Sequence, residues 1–292
     1  MTVTWRAAAA LFTMLAVAAC EEQQPNTGNQ LPKIAGAESA RCYDREDLKQ
    51  AAAMASPRLE RDVLILVDQT AALPEDVRAS IIEQTAALAR PGTRLALGTF
   101  SSYTGSAHAQ IGAETVLEPA FPDSARGDAP MQALRKLDAC LETRNAGETR
   151  RIAAATQEAM ASPRTDVQRS DILANVKGFA ERLEGSPAPD KVLLLVSDLL
   201  ENSSALSFYS RGGLRSLEPG AELEKAKHSD LLAPLAGVKV YVVGAGLPPP
   251  GETRSRSLAE VQSLERFWKD YFAASGAVSA EIGLPRLHRA IE

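Results

Sequence analysis

Residues 61–70 read RDVLILVDQT, in which an uninterrupted apolar run at residues 63–67 is followed by Asp68 and, two positions later, by a hydroxyl residue, Thr70. A run of this length between polar residues is typical of a strand buried on both faces of a parallel sheet. Residues 191–198, KVLLLVSD, repeat the pattern and end in Asp198. Because open parallel sheets bind ligands beyond the carboxyl ends of their strands, the two carboxylates mark a candidate site.

Strand-like and helix-like segments alternate along the rest of the chain. We predict strands at residues 62–67, 93–100, 113–117, 191–196, 238–243 and 278–282, and helices at residues 43–55, 74–90, 130–161, 171–183, 222–235 and 257–274. The helix at 130–161 is expected to break around residues 145–147, and Asp44 is expected to cap the first helix. The alternation predicts an α/β fold with a doubly wound, mostly parallel sheet and helices on both faces.

The first 40 residues are predicted to target and tether the protein. Arg6 and the apolar run that follows it resemble a signal peptide spanning residues 1–19. Small residues directly before Cys20 resemble a bacterial lipobox, in which this cysteine carries lipid; the alternative is an ordinary signal peptide cut after Ala19. Residues 20–40 are polar and are predicted to form a flexible tether. Residues 41–292 then form a single domain.

Charge and cysteine content narrow the class of protein. The chain has 37 Asp and Glu against 32 Lys and Arg, without a long basic block, which argues against a nucleic-acid partner. Export implies an oxidising compartment. If Cys20 is lipidated, Cys42 and Cys140 remain and are predicted to form one disulfide; the alternative is two free thiols. Neither cysteine has the spacing of a metal or redox site.

A third motif, RSDI at residues 169–172, adds a hydroxyl residue, Ser170, at the start of a predicted helix. The order of the motifs, followed by a later strand with Gly-x-Gly, resembles a von Willebrand factor type A (vWA) domain over residues 61–282. That family has a mostly parallel sheet with a metal-ion-dependent adhesion site at its top edge. Asp68, Thr70, Ser170 and Asp198 match the family pattern, whereas Ala72 replaces its second hydroxyl residue.

The resemblance implies a binding module rather than an enzyme. It would be anchored in the membrane by lipid on Cys20, face the periplasm or other extracytoplasmic side, and bind an envelope protein through the top edge. Mg²⁺ takes oxygen ligands and keeps several waters. The four matching residues would therefore form a partial Mg²⁺ site that is weakened by the loss of a hydroxyl at Ala72.

Two other interpretations of the carboxylates remain open. In the first, Asp68 and Asp198 only cap loops and helix N-termini, and the site is vestigial. In the second, they serve a metal-dependent hydrolase or phosphatase of the envelope. An aspartate-based phosphatase would need a general acid where Thr70 stands, and no Gly-x-Ser-x-Gly elbow is present in the sequence.

Two aromatic segments are candidates for specificity. Residues 201–220 follow Asp198 and carry four side chains of kinds that anchor binding surfaces: Phe208, Tyr209, Arg211 and Arg215. The alternative for this segment is a solvated loop. Residues 267–272 are predicted to be mostly core, with Trp268 or Tyr271 at the rim of a surface.

Overall fold

The computed structural model describes residues 41–55, 57–101, 110–161, 169–210, 213–248, 252 and 256–291. The predicted signal peptide, Cys20 and the tether lie outside these ranges. The helices are α1 (Lys49–Ala55), α2 (Glu75–Leu88), α3 (Met131–Ala161), α4 (Ile172–Glu184), α5 (Pro219–His228) and α6 (Leu258–Ala274). The strands are β1 (Arg61–Asp68), β2 (Thr93–Phe100), β3 (Gln110–Val116), β4 (Asp190–Val196), β5 (Tyr209–Ser210), β6 (Gly213–Leu214), β7 (Val238–Val243) and β8 (Ser279–Ile282).

Six strands form one sheet in the order β3-β2-β1-β4-β7-β8. All neighbouring pairs are parallel except β2 and β3, so the antiparallel strand lies at an edge. The central strand β1 is paired on both sides, with Val63 opposite Leu95 of β2 and Val192 of β4. Its apolar run is buried throughout, as expected for a strand covered on both faces. The predicted doubly wound α/β fold is confirmed.

Each face of the sheet has its own hydrophobic core because successive strand side chains point to opposite faces. On one face, Val63, Ile65 and Val67 pack with α2 and the second half of α3. On the other face, Leu64 and Leu66 pack with α4, α5 and α6. The connection after β1 therefore runs on the first face and the connection after β4 runs on the second.

A third core, which we call the basal cluster, lies at the N-terminal edge of the sheet. It joins the segment around Cys42 and Tyr43 to the first half of α3, with Leu48, Phe121, Leu134, Leu137 and Leu141. The Glu118 carboxylate, just beyond β3, accepts hydrogen bonds from the backbone N–H of Cys42 at 3.0 Å and of Tyr43 at 3.2 Å. Cys42 and Cys140 are joined by a disulfide, with their Cα atoms 5.9 Å apart, which confirms the predicted pairing.

Helix α3 is continuous, so the predicted break around residues 145–147 is wrong. A single interior glycine costs a helix only about 1 kcal/mol, and the neighbouring residues offset that cost. The Asn145 side chain accepts from the backbone N–H of Glu118 at 2.9 Å and donates to its carbonyl oxygen at 2.8 Å. Glu148 accepts from the Thr115 hydroxyl at 2.7 Å. These tertiary contacts fix the helix where its local sequence is weakest.

Two other predicted helices differ from the structure. Helix α5 ends at His228 rather than at residue 235, because Asp230 adopts a positive φ of 54° and Pro234 cannot continue a helix. The first predicted helix begins as two short 3₁₀ turns, at Cys42–Asp44 and Glu46–Leu48, before α1. Asp44 lies within the first turn and does not cap α1. Among the described residues, no helix is long and apolar enough to cross a membrane.

Candidate functional site

The candidate site lies where the sheet reverses its winding direction. Asp68 is the last residue of β1, and Ser197 and Asp198 directly follow the neighbouring strand β4. The connections after β1 and β4 run on opposite faces, so these two strand ends lie at the position where open α/β sheets usually bind ligands. The two carboxylates that the sequence pattern singled out therefore lie at the same edge of the sheet.

Asp68 is the centre of a hydrogen-bond network that joins three separate segments. Its Oδ1 accepts from the Thr70 backbone N–H at 2.9 Å and from the Thr70 hydroxyl at 2.6 Å. Its Oδ2 accepts from the Ser197 hydroxyl at 2.8 Å and from the Ser170 hydroxyl at 3.1 Å. Both carboxylate oxygens therefore have two donors, which is the capacity of an ionised carboxylate. The side chain is almost completely enclosed, with Asp68 1% exposed.

Backbone contacts explain why these segments meet. The Gln69 N–H donates to the carbonyl oxygen of Phe100 at the end of β2, which holds the turn after β1 against the sheet. The Asn202 N–H donates to the carbonyl oxygen of Ser170 at 2.9 Å, so the loop after β4 fixes the start of α4. Asp171 is the N-terminal boundary residue of that helix. Ser170 is consequently delivered to Asp68 from 102 positions away in the chain.

Ser197 is a site residue that the sequence analysis did not select. Its hydroxyl donates to Asp68 and accepts the N–H of Leu199 at 3.0 Å. Leu199 has a positive φ of 63°, so the chain turns sharply directly after the strand. The sequence does show a hydroxyl residue, Ser197, between a buried strand and Asp198. The contact of Ser197 with Asp68, however, depends on the pairing of β1 with β4.

Asp198 is buried beside this network and is held by backbone groups. Its Oδ1 accepts from the Leu200 N–H at 2.9 Å, and its carbonyl oxygen accepts from the Gly246 N–H at 3.0 Å. Burial and, in the same direction, the negative charge of Asp68 raise the pKa of Asp198 to about 7. Burial also raises the pKa of Asp68, against the effect of its hydrogen bonds. Two buried acids that interact in this way favour binding of a positive charge.

The side chains around Asp68 offer oxygen donors. Thr70 and Ser170 each use the hydroxyl proton toward Asp68, which leaves hydroxyl oxygen lone pairs available. Together with the Asp198 carboxylate, these are the oxygen ligands that Mg²⁺ accepts. Ala72 contributes no oxygen. Within the described part of the chain, no three His, Cys, Asp or Glu side chains group closely enough to hold a metal ion.

Glu201 is a second buried carboxyl group near this edge, and its charge state depends on pH. It is fully buried, and its Oε2 accepts from the Leu173 N–H at 3.0 Å in the first turn of α4. Burial raises its pKa from 4.5 to about 8. The group is therefore mostly protonated in the folded protein at neutral pH, whereas it is ionised in the unfolded chain.

We expect this group to make the protein less stable as the pH rises from 7 to 9. A carboxyl group with a raised folded-state pKa binds more protons in the folded than in the unfolded state, so its contribution is lost as pH rises through that pKa. The expected loss is about 1 kcal/mol. Thermal unfolding of the wild type and Glu201→Gln at pH 7 and pH 9 measures it. If Glu201→Gln loses as much stability as the wild type between pH 7 and pH 9, the titration of Glu201 is not the cause.

The predicted aromatic anchors are mostly structural. Phe208 is fully buried against Phe267, with ring centroids 4.9 Å apart, which corrects its expected surface role. Trp268 and Tyr271 are also fully buried, so neither forms a rim. Arg215 is paired with Glu222 at 2.8 Å, and Arg211 lies outside the described residues. Tyr209 is partly exposed.

No protein-family model and no curated protein sequence matches the chain. Among solved structures it is similar to an aerotolerance-related membrane protein from Bacteroides fragilis, with 11% identity over 78% of this chain and 92% of that chain and a TM-score of 0.35. It is also similar to the PilB minor pilin from Streptococcus sanguinis, with 13% identity over 77% of this chain and 58% of that chain and a TM-score of 0.35. The conserved hypothetical protein BatB from Bacteroides thetaiotaomicron has 11% identity over 79% of this chain and 91% of that chain and a TM-score of 0.34. Likenesses this weak transfer no function to this chain.

Proposed function

We propose that this protein is a vWA-like binding module that is anchored by lipid outside the cytoplasm and binds an envelope protein through the top edge of its sheet. The observation that carries the proposal is the network around Asp68. Thr70, Ser170 and Ser197 reach one carboxylate from three segments at the point where the winding reverses.

The fold supports the vWA-like assignment independently of the site. Numbered along the main sheet alone, the strand order is 3-2-1-4-5-6, the order of a doubly wound sheet with one central reversal. The third strand is antiparallel and lies at the edge. Of the four residues selected by the family pattern, Asp68 ends the first strand and Thr70 lies in the turn after it. Ser170 lies just before a helix, and Asp198 lies just after the fourth strand.

We propose that the site binds Mg²⁺ weakly and that the ion would offer a coordination position to a carboxylate of the partner. The Thr70 and Ser170 hydroxyl oxygens and the Asp198 carboxylate would be the protein ligands. Asp68 would act by orienting the two hydroxyl groups, because all four of its acceptor positions are taken by hydrogen bonds. The hydroxyl that is missing at Ala72 would be replaced by water, with a loss of affinity.

The proposed location rests on the N-terminal sequence and is supported by the disulfide. Residues 1–19 and Cys20 have the pattern of a lipoprotein signal, and a disulfide between Cys42 and Cys140 is typical of an exported protein. The chain enters the domain at the basal cluster, where the backbone N–H of Cys42 donates a hydrogen bond to the Glu118 carboxylate. The anchor would thus attach at the sheet edge opposite Asp68, which leaves the top edge free to face a partner.

The hydrolase alternative is less consistent with the surroundings of Asp68. A nucleophilic carboxylate needs an oxygen that can approach the substrate, yet both oxygens of Asp68 accept two hydrogen bonds each and the residue is 1% exposed. Hydrolysis of a generic phosphate ester that disappears in Asp68→Asn would favour the alternative. We expect no hydrolysis above background.

Capture of partners from an envelope extract tests the proposed function. The domain spanning residues 41–292 is immobilised and incubated with extract in Mg²⁺ or in chelator, and bound proteins are quantified. We expect the same partners under both conditions, with at least about threefold more recovered in Mg²⁺, because a weak metal site adds only a modest free energy. Equal recovery would remove the metal from the mechanism, and absence of any specific partner would contradict the binding function.

A further inference from the structure

The disulfide of the basal cluster has one end buried and the other end at the surface. Cys42 is fully buried, whereas Cys140 is partly exposed and packs against the edge of the cluster. Cys140 also lines a surface cavity of about 920 Å³, and Cys42 does not line it. A reagent in solvent therefore reaches this disulfide from the Cys140 side, and access decides which sulfur of a disulfide is attacked.

The cavity lies between α3 and residues 41–48, which we call the entering segment. Arg45 and Asp47 line it from the entering segment. The lining residues of α3 recur at spacings of three and four, which places them on one face of the helix: Lys136, Ala139, Cys140, Thr143 and Arg144. The volume is within the range of pockets that bind small molecules, so a small thiol compound can enter it.

The lining of this cavity carries more positive than negative charge. It contains three cations and one acid: Arg45, Lys136, Arg144 and Asp47. Arg144 forms an ion pair with the buried Glu118 carboxylate at 2.9 Å. Lys136 is exposed one helical turn before Cys140, so it is well placed to attract an anionic reagent to the disulfide. Reactive cysteines are typically partly exposed and lie in positively charged surroundings.

We propose that Cys140 is a thiol–disulfide exchange site and that the cavity beside it receives a small anionic thiol. The thiolate attacks the Cys140 sulfur and forms a new S–S bond as the bond to Cys42 breaks. The electron pair leaves with the Cys42 sulfur, which takes a proton from solvent. A second thiolate then attacks the sulfur of the bound thiol, so that two small thiols are oxidised to one disulfide and both cysteines are reduced. This reaction is independent of the proposed binding at the top edge.

Other contacts hold the entering segment in place while the disulfide is open. Glu118 accepts hydrogen bonds from the backbone N–H groups of Cys42 and Tyr43, and the Tyr43 hydroxyl donates to the carbonyl oxygen of Pro119 at 3.0 Å. The Cys42 thiol therefore stays close enough to Cys140 for the bond to form again. Exchange removes the covalent link between the entering segment and α3 reversibly, without requiring the domain to unfold.

Mass spectrometry of trapped adducts tests the exchange site. The oxidised full chain, purified in detergent, is incubated with reduced glutathione as the anionic thiol, and the reaction is stopped by alkylation. We expect the adduct on Cys140 at least about tenfold more often than on Cys42, because of the two only Cys140 lines the cavity. The rate should rise in proportion to glutathione concentration. Equal labelling of both cysteines, a rate that levels off at the rate of unfolding, or no reaction would overturn the proposal.

Charge variants test whether the cavity recruits an anionic thiol. We expect Lys136→Gln to slow exchange with glutathione about threefold, since it removes one exposed unit charge near the reacting sulfur. Exchange with cysteamine, whose ammonium group balances the thiolate charge, should change little. Arg135→Gln is the matched control, because Arg135 is the exposed neighbour of Lys136 on α3 and does not line the cavity. If the two variants slow glutathione exchange equally, or neither slows it, the cavity does not select anionic thiols and the proposal is wrong.

Discussion

Replacing both Cys42 and Cys140 with serine is expected to lower the free energy of unfolding by about 4 kcal/mol and the melting temperature by about 10 °C. The disulfide closes a loop of 98 residues, and in the chain-entropy model the stabilisation grows with the logarithm of loop length. The bond also joins the chain entry point to α3, so its loss should loosen the basal cluster first. Differential scanning calorimetry measures the effect.

Reduced wild-type protein is the matched control for this prediction. It keeps both thiol groups, so it separates the effect of the covalent bond from that of placing a hydroxyl at the fully buried Cys42. We expect the reduced wild type to melt close to the double serine variant and the variant to be insensitive to reductant. If oxidised and reduced wild type melt at the same temperature, the bond does not stabilise the fold as described.

Asp68→Ala is expected to lower the free energy of unfolding by about 3 kcal/mol. The substitution leaves the hydroxyls of Ser170 and Ser197 and the Thr70 N–H without their acceptor, and each buried unsatisfied group costs about 1–3 kcal/mol. Part of this cost is offset because the buried carboxylate no longer has to be desolvated. Chemical denaturation at neutral pH gives the value.

Asp68→Asn is the matched variant, since it keeps the size of the side chain and one carbonyl oxygen. That oxygen can still accept both bonds from Thr70, and the hydroxyls of Ser170 and Ser197 can rotate to accept from the amide. We expect a loss of about 1 kcal/mol. If the alanine and asparagine variants are equally stable, the hydrogen bonds to Asp68 do not hold the three segments together.

The strand cores and the meeting of Asp68 and Asp198 at one sheet edge were predictable from local sequence. The apolar runs that end at Asp68 and Asp198 can only be buried as central strands, and parallel strands bring their carboxyl ends together at one edge. Ser170 lies just before α4, the helix that leads into β4, so chain direction places it at the same edge. These inferences need only strand burial and chain direction, both of which the residue types determine.

The remaining features depend on contacts between distant segments. The continuity of α3 depends on the contacts of Asn145 with Glu118, which no local pattern reveals. Burial of Glu201 depends on how the irregular loop after β4 folds over the strand ends. Such loops have no hydrophobic period, so sequence patterns describe them only as polar segments.

The most direct test of the central claim compares partner capture by Asp198→Asn and Asp190→Asn. The two carboxylates flank the same strand, β4, with Asp190 at its N-terminal end, where it pairs with Arg61 and Lys239. If the top edge binds the partner, Asp198→Asn should reduce capture at least about tenfold, while Asp190→Asn captures as much as the wild type. Capture that is unchanged in Asp198→Asn, or reduced equally in both variants, would contradict binding through this edge.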